Sequence, residues 1–319
     1  MRNYSKLSEK ILSVLDTHSV KNLKSSYSSI SSKYREEDIR STKVVDSMTL
    51  AQSYLSSRMP ETTHIVHSVL SRLDSVCGLD IHTVLDVGTG TGATMWALDD
   101  ICIDRHITAV EYDSSMLATA KAMCDELSQH IEYVECSVLS SKFRALPSAD
   151  LVIESFMLNE LSDTDRVKAL ESMCAKADKY LVLIEPGTPV SYERMMQLRE
   201  YLLSHSMYMV LPCPHSNKCG LQGDFCNFTV RVPRSSIHRQ VKDGTLSYSD
   251  EKYFYMVFSK HPVDKVHTST ILRHPQYRKN CIDIKVCSAD TTISTKTITK
   301  SDKARYKLAK DYIQGDILE

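Results

Sequence analysis

Apolar residues recur at helical spacing through residues 1–76, and the pattern then changes to short apolar runs separated by helix-length segments. In the stretches Val45 to Met59 and Thr62 to Leu73, apolar side chains fall three and four positions apart, which predicts two amphipathic helices. Pro60-Glu61 separates them, and proline suits a first helical turn. Residues 1–76 therefore read as an N-terminal helical region.

From residue 82 strands alternate with helices. His82–Val87, Ile107–Tyr112, Ile131–Cys136, Asp150–Glu154, Lys179–Ile184 and Tyr208–Leu211 read as strands. Thr94–Leu98, Ser114–Leu127, Thr164–Ala177 and Val190–Leu203 read as helices between them. After a long interruption, Lys252–Ser259 alternates as an aromatic-rich seventh strand. Strict alternation of this kind predicts a parallel α/β sheet covered on both faces. The expected organisation is a Rossmann-like domain over 77–260, with a Cys-rich insertion at 212–250 and a basic extension at 261–319.

Chemistry first enters at the end of the first strand. The chain has nine Gly, and three fall within residues 88–92, in Asp86-Val87-Gly88-Thr89-Gly90-Thr91-Gly92. A turn after a buried strand needs glycine where the backbone approaches a ligand or takes positive φ. The following helix offers its N-terminus to an anionic group. Asp86 precedes the first glycine by two residues, placed for water or a cofactor amino group. Glu111 ends the second strand, 19 residues after Gly92, the distance at which an acid meets ribose hydroxyls. GxGxG spacing with Asp86 favours S-adenosylmethionine over NAD, and so a class I S-adenosylmethionine-dependent methyltransferase fold. An ordinary αβ turn or a dinucleotide site are the alternatives. Ser137, after the third strand, is a candidate for the adenine ring. The run Asp150 to Glu160 ends the fourth strand, with Glu154, Ser155 and Asn159 as candidates for the methyl-transfer mouth. The Asn-Pro-Pro-Tyr motif of amino-group methyltransferases is absent, and no catalytic residue is assigned.

Ten cysteines divide into two groups. Cys77, Cys102, Cys124, Cys136 and Cys174 sit among apolar neighbours and read as core thiols. Cys213, Cys219 and Cys226 are spaced C-x5-C-x6-C, with Cys287 or Cys281 available as a fourth thiolate. These spacings are wider than those of usual zinc knuckles. Four thiolates suit zinc or an iron–sulfur cluster, and scattered thiols are the plainer alternative.

The formal net charge of −1 hides an asymmetry: twelve Lys/Arg against five Asp/Glu between Lys260 and Asp311. Such an excess suits a polyanion such as RNA, or simply a solvated basic face. No apolar run approaches the roughly 20 residues that cross a bilayer, so no membrane partner is expected. No apolar signal region follows Met1, and Glu9 and Asp16 interrupt the Ser- and Lys-rich start, unlike a presequence.

With these motifs in place, the chain resembles the methyltransferase-like assembly factors of the mitochondrial ribosomal small subunit and their bacterial relatives, over roughly residues 30–316. The resemblance rests on Leu85 to Gly92, Glu185-Pro186-Gly187-Thr188-Pro189, Pro212-Cys213-Pro214-His215 and Pro233-Arg234-Ser235 with His238-Arg239. It continues through Asp250-Glu251-Lys252-Tyr253, Arg278-Lys279, Cys287 and Lys300-Ser301-Asp302 before a final helix. It implies a role in small-subunit assembly or translation with binding to small-subunit rRNA. It also implies a [4Fe-4S] cluster on Cys213, Cys219, Cys226 and Cys287, the last matched through the strand Ile284 to Cys287 in preference to Cys281. A monomer in the bacterial cytoplasm is the first expectation, and the mitochondrial matrix the second. Two activities remain open: an rRNA methyltransferase, or a cofactor-bound assembly factor without turnover.

Overall fold

The computed structural model describes residues 4–15, 48–101, 105–242, 244–263 and 268–318. The first residues of the helix expected from Val45, and Cys102, lie outside these. The chain divides into two compact units. One comprises Met1–Ser71, Asp80–Ile184 and Val230–Glu251, the other Arg72–Leu79, Glu185–Thr229 and Lys252–Glu319.

The first unit opens with helices α1 (Tyr4–Val14), α2 (Met48–Ser57) and α3 (Met59–Cys77), the last running on into the second unit. Pro60 falls in the first turn of α3, where its missing N–H costs nothing. Strands β1 (Thr83–Val87), β2 (His106–Glu111), β3 (His130–Glu135), β4 (Ala149–Ser155) and β5 (Ala177–Pro186) alternate with α4 (Ala93–Ile101), α5 (Ser114–Cys124), α6 (Ser141–Arg144) and α7 (Asp163–Lys176). The strands pair in parallel in the order β3-β2-β1-β4-β5. Val84, Leu85, Asp86 and Val87 are all buried, as expected for a strand covered on both faces. Asp113 caps α5 through Ser115 N and Met116 N, and Ser162 caps α7 through Asp165 N. Because the sheet is parallel, the C-terminal ends of β1 to β4 lie along one edge, where ligands bind in open α/β sheets.

Two of the motifs behind the resemblance are internal supports of this unit. Glu61 on α3 meets Lys242 and, at 3.4 Å, His238 Nε2, both on α9 (Ser236–Lys242). Burial pushes the Glu61 carboxyl up, but His238, Lys242 and Arg58 outweigh it and hold the group well below the carboxylate range. Arg231 Nε and Nη2 grip Asp250 at 2.7 and 2.8 Å, and Arg231 lies 4.0 Å above the Tyr248 ring.

In the second unit, Thr188 caps α8 (Pro189–Ser204), with Pro189 at its first position. Gly187 N donates to Lys252 O at 3.1 Å, and a Cβ there would meet Tyr253 N at 2.7 Å, so only glycine permits the approach. Strand β6 (Tyr208–Leu211) runs antiparallel to β8 (Tyr248–Ser259), and β7 (Phe228–Pro233) also pairs with β8. Arg72 joins Tyr253 Oη and Gln314 O, each at 2.9 Å.

A second, antiparallel sheet follows in the order β10-β11-β9-β13, with β12 on the other flank of β11. Its strands are β9 (Ser269–Ile271), β10 (Gln276–Tyr277), β11 (Cys281–Ser288), β12 (Ile293–Thr299) and β13 (Ile317–Leu318). Ile271, Ile282, Ile284 and Val286 form its core with Ala309 of α10 (Lys303–Ala309). Sequence patterning anticipates only the Ile284 to Cys287 strand and the final helix here. The remaining strands are short or polar on one face, so they carry no buried-strand signature.

Candidate cofactor site and cysteine cavity

After β1 the chain turns through Gly88 to Gly92 into α4. All three glycines have positive φ: 75°, 56° and 95°. Their surroundings differ. A Cβ on Gly88 would lie 2.8 Å from Met157 Cβ, and one on Gly92 2.7 Å from Cys124 Sγ. A Cβ on Gly90 would meet nothing nearer than Met116 Cε at 3.6 Å. Gly88 thus lets the corner after β4 close on the turn, and Gly92 admits α5. Gly90 answers to backbone conformation alone.

The turn is braced from within. Asp86 accepts hydrogen bonds from the Thr89 and Thr94 hydroxyls. Burial still pushes its carboxyl up to about 6. Gly88 N and Thr89 N donate to Val110 O at 2.8 and 3.0 Å, and Gly92 N donates to Thr89 O at 2.9 Å. Glu111 Oε2 accepts from Gly90 N at 3.0 Å, while Oε1 accepts from Tyr112 N and Asp113 N at 2.8 and 3.0 Å. Burial raises the Glu111 pKa, and these donors offset part of the shift. Asp86 and Glu111 therefore build the turn before they meet any ligand.

Two cavities, of about 250 and about 60 Å³, open beside it and share Gly88, Glu111, Tyr112, Met157 and Glu160 as walls. The larger also takes in Cys136, Ser137, Val138 and Asp165; the smaller takes in Tyr54, Gly90, Asp113, Ser155 and Phe156. Among the described residues, four carboxylates line the two cavities and no Lys, Arg or His does.

Ser137, the candidate adenine contact, lines the larger cavity, its Oγ accepting from Leu139 N at 3.2 Å. Ser155 lines the smaller cavity. Glu154 lines neither: it is fully buried and accepts from Ile184 N, Met157 N and Leu158 N at 3.1, 3.2 and 3.4 Å. Asn159, half-buried on the 3-10 turn Leu158–Glu160, also lines neither. Sequence reasoning misses Tyr54, Tyr112, Met157 and Glu160. Tyr112 directly follows Glu111, and Glu160 ends the run containing Glu154, so two of the four carried a local signal. Tyr54 carried none, because its position on a helix says only that it faces inward.

In the second unit Cys213, Cys219, Cys226 and Cys287 line one cavity of about 20 Å³ with Tyr192, His215 and Phe254. Cys281 is not part of this lining. Tyr192 Oη donates to Cys219 Sγ at 3.3 Å, and Cys287 Sγ lies 3.5 Å from His215 Nε2. Burial first, then Cys213 and Cys219, push the Cys287 thiol up to about 12 and the Cys226 thiol well above its ordinary range. No disulfide joins the nine described cysteines. Of the others, Cys124 is buried, and Cys77, Cys136 and Cys174 are half-buried. Among the described residues, no three His, Cys, Asp or Glu side chains are placed to hold a single metal ion.

Strand order β3-β2-β1-β4-β5, a glycine turn after β1 and an acid closing β2 define the class I S-adenosylmethionine-dependent methyltransferase fold. Within that class the chain belongs to the Rsm22 family, described as mitochondrial small ribosomal subunit Rsm22, whose model matches residues 48–319. The human mitochondrial ribosome assembly protein METTL17 is 24% identical over 259 residues, covering 74% of this chain and 55% of that protein. The mitochondrial Rsm22-cox11 tandem protein 2 of Schizosaccharomyces pombe is 24% identical, covering 90% of this chain and 45% of that protein. The chain thus spans about half the length of these relatives. Among solved structures, a SAM dependent methyltransferase from Aquifex aeolicus is 18% identical, with 68% of this chain and 100% of that one covered and a TM-score of 0.43. Magnesium protoporphyrin IX methyltransferase from Synechocystis PCC 6803, solved with bound SAM, is 12% identical, with 74% and 94% covered and a TM-score of 0.41.

Proposed function

We propose that this chain binds S-adenosylmethionine in its first unit and acts in assembly of the small ribosomal subunit, on small-subunit rRNA. The cofactor reading is carried by one observation: the braced glycine turn opens onto cavities lined by four carboxylates and, among the described residues, by no cationic side chain. A dinucleotide's phosphates would be repelled there, whereas S-adenosylmethionine carries a net positive charge. Glu111 keeps acceptor capacity for ribose hydroxyls beyond its three backbone donors. Ser137 and Cys136 are placed for adenine, and the turn at Gly88 and Gly90 for the methionine portion. Asp86 stays behind the turn as its brace. When bound, the cofactor supplies an electrophilic methyl group on a sulfonium. Ser155 is the candidate of the β4 end that reaches a cavity wall.

A second reading, a cofactor-bound assembly factor without turnover, is favoured by Glu154. Its carboxylate is committed to three backbone donors and has no access to an acceptor.

The family and the human relative's name support the ribosomal role. For rRNA, the support is a set of exposed cations in the second unit: Arg278, Lys279, Lys296, Lys300, Lys303, Arg305, Lys307 and Lys310. The four-cysteine cavity brings together thiols of the kind that hold a [4Fe-4S] cluster or zinc, and the family resemblance favours the cluster. A cation there would offset the burial, and the neighbouring Cys213 and Cys219, that push the Cys226 and Cys287 thiols up. The curated relatives are named mitochondrial, which favours the matrix over the bacterial cytoplasm. No described helix is long and apolar enough to cross a membrane. We take the working form to be a monomer.

Mass-spectrometric mapping of small-subunit rRNA, with and without the protein, tests the two readings. Loss of one methyl mark supports turnover. An unchanged map with defective small subunits supports assembly alone, and an unchanged map with normal subunits rejects both.

A further inference from the structure

We infer that Arg199 on α8 positions the four-cysteine centre: it fixes the backbone between Cys213 and Cys219 and supplies the buried positive charge such a centre requires. The inference rests on the metal reading above and adds to it a residue outside the thiol set. The donors fit such a centre, since the four thiols line one cavity and no disulfide joins them.

The segment carrying three of these cysteines is held at three places within the second unit. At its start, Thr270 Oγ1 donates to Pro212 O at 2.6 Å, and Thr270 stands opposite Cys287 in the β9–β11 pair. At its end, Arg273 Nη2 donates to Phe225 O at 2.9 Å and to Asp224 Oδ1 at 2.7 Å. In the middle, Arg199 Nη2 donates to His215 O at 3.1 Å and to Asn217 O at 2.8 Å. Both carbonyls belong to the five residues between Cys213 and Cys219. His215 itself lines the cavity, with Nε2 3.5 Å from Cys287 Sγ.

The two arginines differ in how their charge is met. Asp224 pairs with Arg273 and also with Lys285 at 3.1 Å, so that group carries its own counter-ion on a partly exposed rim. Arg199 is 0% exposed. Among the described residues, the carboxylate paired with it is Glu200 at 3.0 Å, whose side chain is 62% exposed. Water screens that partner. Arg199 Nε has no hydrogen-bond partner among the described residues. A buried guanidinium without a buried counter-ion is costly. The thiolates are that counter-ion: on zinc or on an oxidised [4Fe-4S] core, both dipositive, four of them leave two negative charges. Of the groups that weigh most on the Cys287 thiol, Arg199 is the one that favours its charged form. Net charge and hydrogen bonding around a cluster set its reduction potential. Removing this cation therefore makes an added electron less stable.

The test uses the full chain purified anaerobically. Iron and zinc are measured, and the reduction potential of the iron-loaded protein is titrated. Arg199→Gln keeps N–H donors and loses the charge, whereas Arg199→Lys keeps the charge and loses the planar fork. Arg199→Gln should make reduction about tenfold less favourable, a potential about 59 mV lower for one electron, and Arg199→Lys should stay within about twofold of wild type. If the Arg199→Gln chain does not fold, Glu200→Gln carries the test: losing this exposed carboxylate should make reduction about twofold more favourable. An unmoved potential in the variant that carries the test overturns the inference and leaves the metal reading standing. So does an equal fall in Arg199→Gln and Arg199→Lys, or loss of metal from both alike. If the wild type holds zinc and no iron, the cluster reading falls, and the same variants are read by chelator competition. Arg199→Gln should then bind zinc about tenfold more weakly and Arg199→Lys within about twofold of wild type, and equal weakening overturns the inference. If the wild type holds neither metal, both fall.

Discussion

Gly88, Gly90 and Gly92 share the sign of φ but not their surroundings, so alanine should rank them. Each substitution carries the backbone penalty of a left-handed residue, about 1–2 kcal/mol. Gly90→Ala should cost little more, because its Cβ would meet only ordinary van der Waals contact with Met116 Cε at 3.6 Å. Gly88→Ala must also displace Met157, whose Cβ is fixed to the backbone, and should lower both melting temperature and S-adenosylmethionine affinity further. Equal effects in melting and calorimetry would show that the Met157 contact is unimportant. Asp86 adds a dependence on pH. Its folded pKa of about 6 lies above the ordinary value of 3.8, so the folded state binds the proton more tightly. That contribution is fully present below pH 4 and is lost as pH rises through 6, a fall of at most about 3 kcal/mol. Asp86→Asn should flatten this loss between pH 4 and 6 in thermal melts; a parallel pH profile would refute the assignment.

At the scale of elements, β11 separates the two candidates for a fourth thiolate. Cys281 and Cys287 share one face of the strand, but six residues place them about 20 Å apart. Cys281 pairs with Thr299 at one end, and Cys287 with Ile293 at the other, beside the cavity. Anaerobically purified Cys287→Ser should therefore lose its iron, whereas Cys281→Ser should keep it. Retention in the first and loss in the second would move the ligand. What the sequence made legible follows the same physics. Strands buried on both faces announce themselves as apolar runs, so β1, β2, β4 and β5 are read within a residue or two; the edge strand β3 is read as closely although only Val134 is buried in it. β12 alternates Ser, Thr and Lys on a largely exposed strand, and its apolar contribution is Ile298. Such a strand is specified by its partner β11 more than by its own pattern. Glycines and the acid at β2 were legible because backbone geometry constrains residue type there. Tyr54 and the Glu160 wall depend on tertiary placement, which no local spacing records.

For the whole molecule, the charges distribute by unit and not by total. A net charge of −1 coexists with eight exposed cations between residues 278 and 310. Binding to a small-subunit rRNA fragment should weaken by roughly tenfold or more between 50 and 200 mM salt, since each phosphate contact releases counterion. A flat dependence would remove these cations from the interface. The ribosomal role itself is tested most directly in cells depleted of the protein and rescued with the wild-type gene. Sedimentation should show small subunits falling relative to large ones on depletion and recovering on rescue. Unchanged small-subunit levels after complete depletion would contradict a role in their assembly.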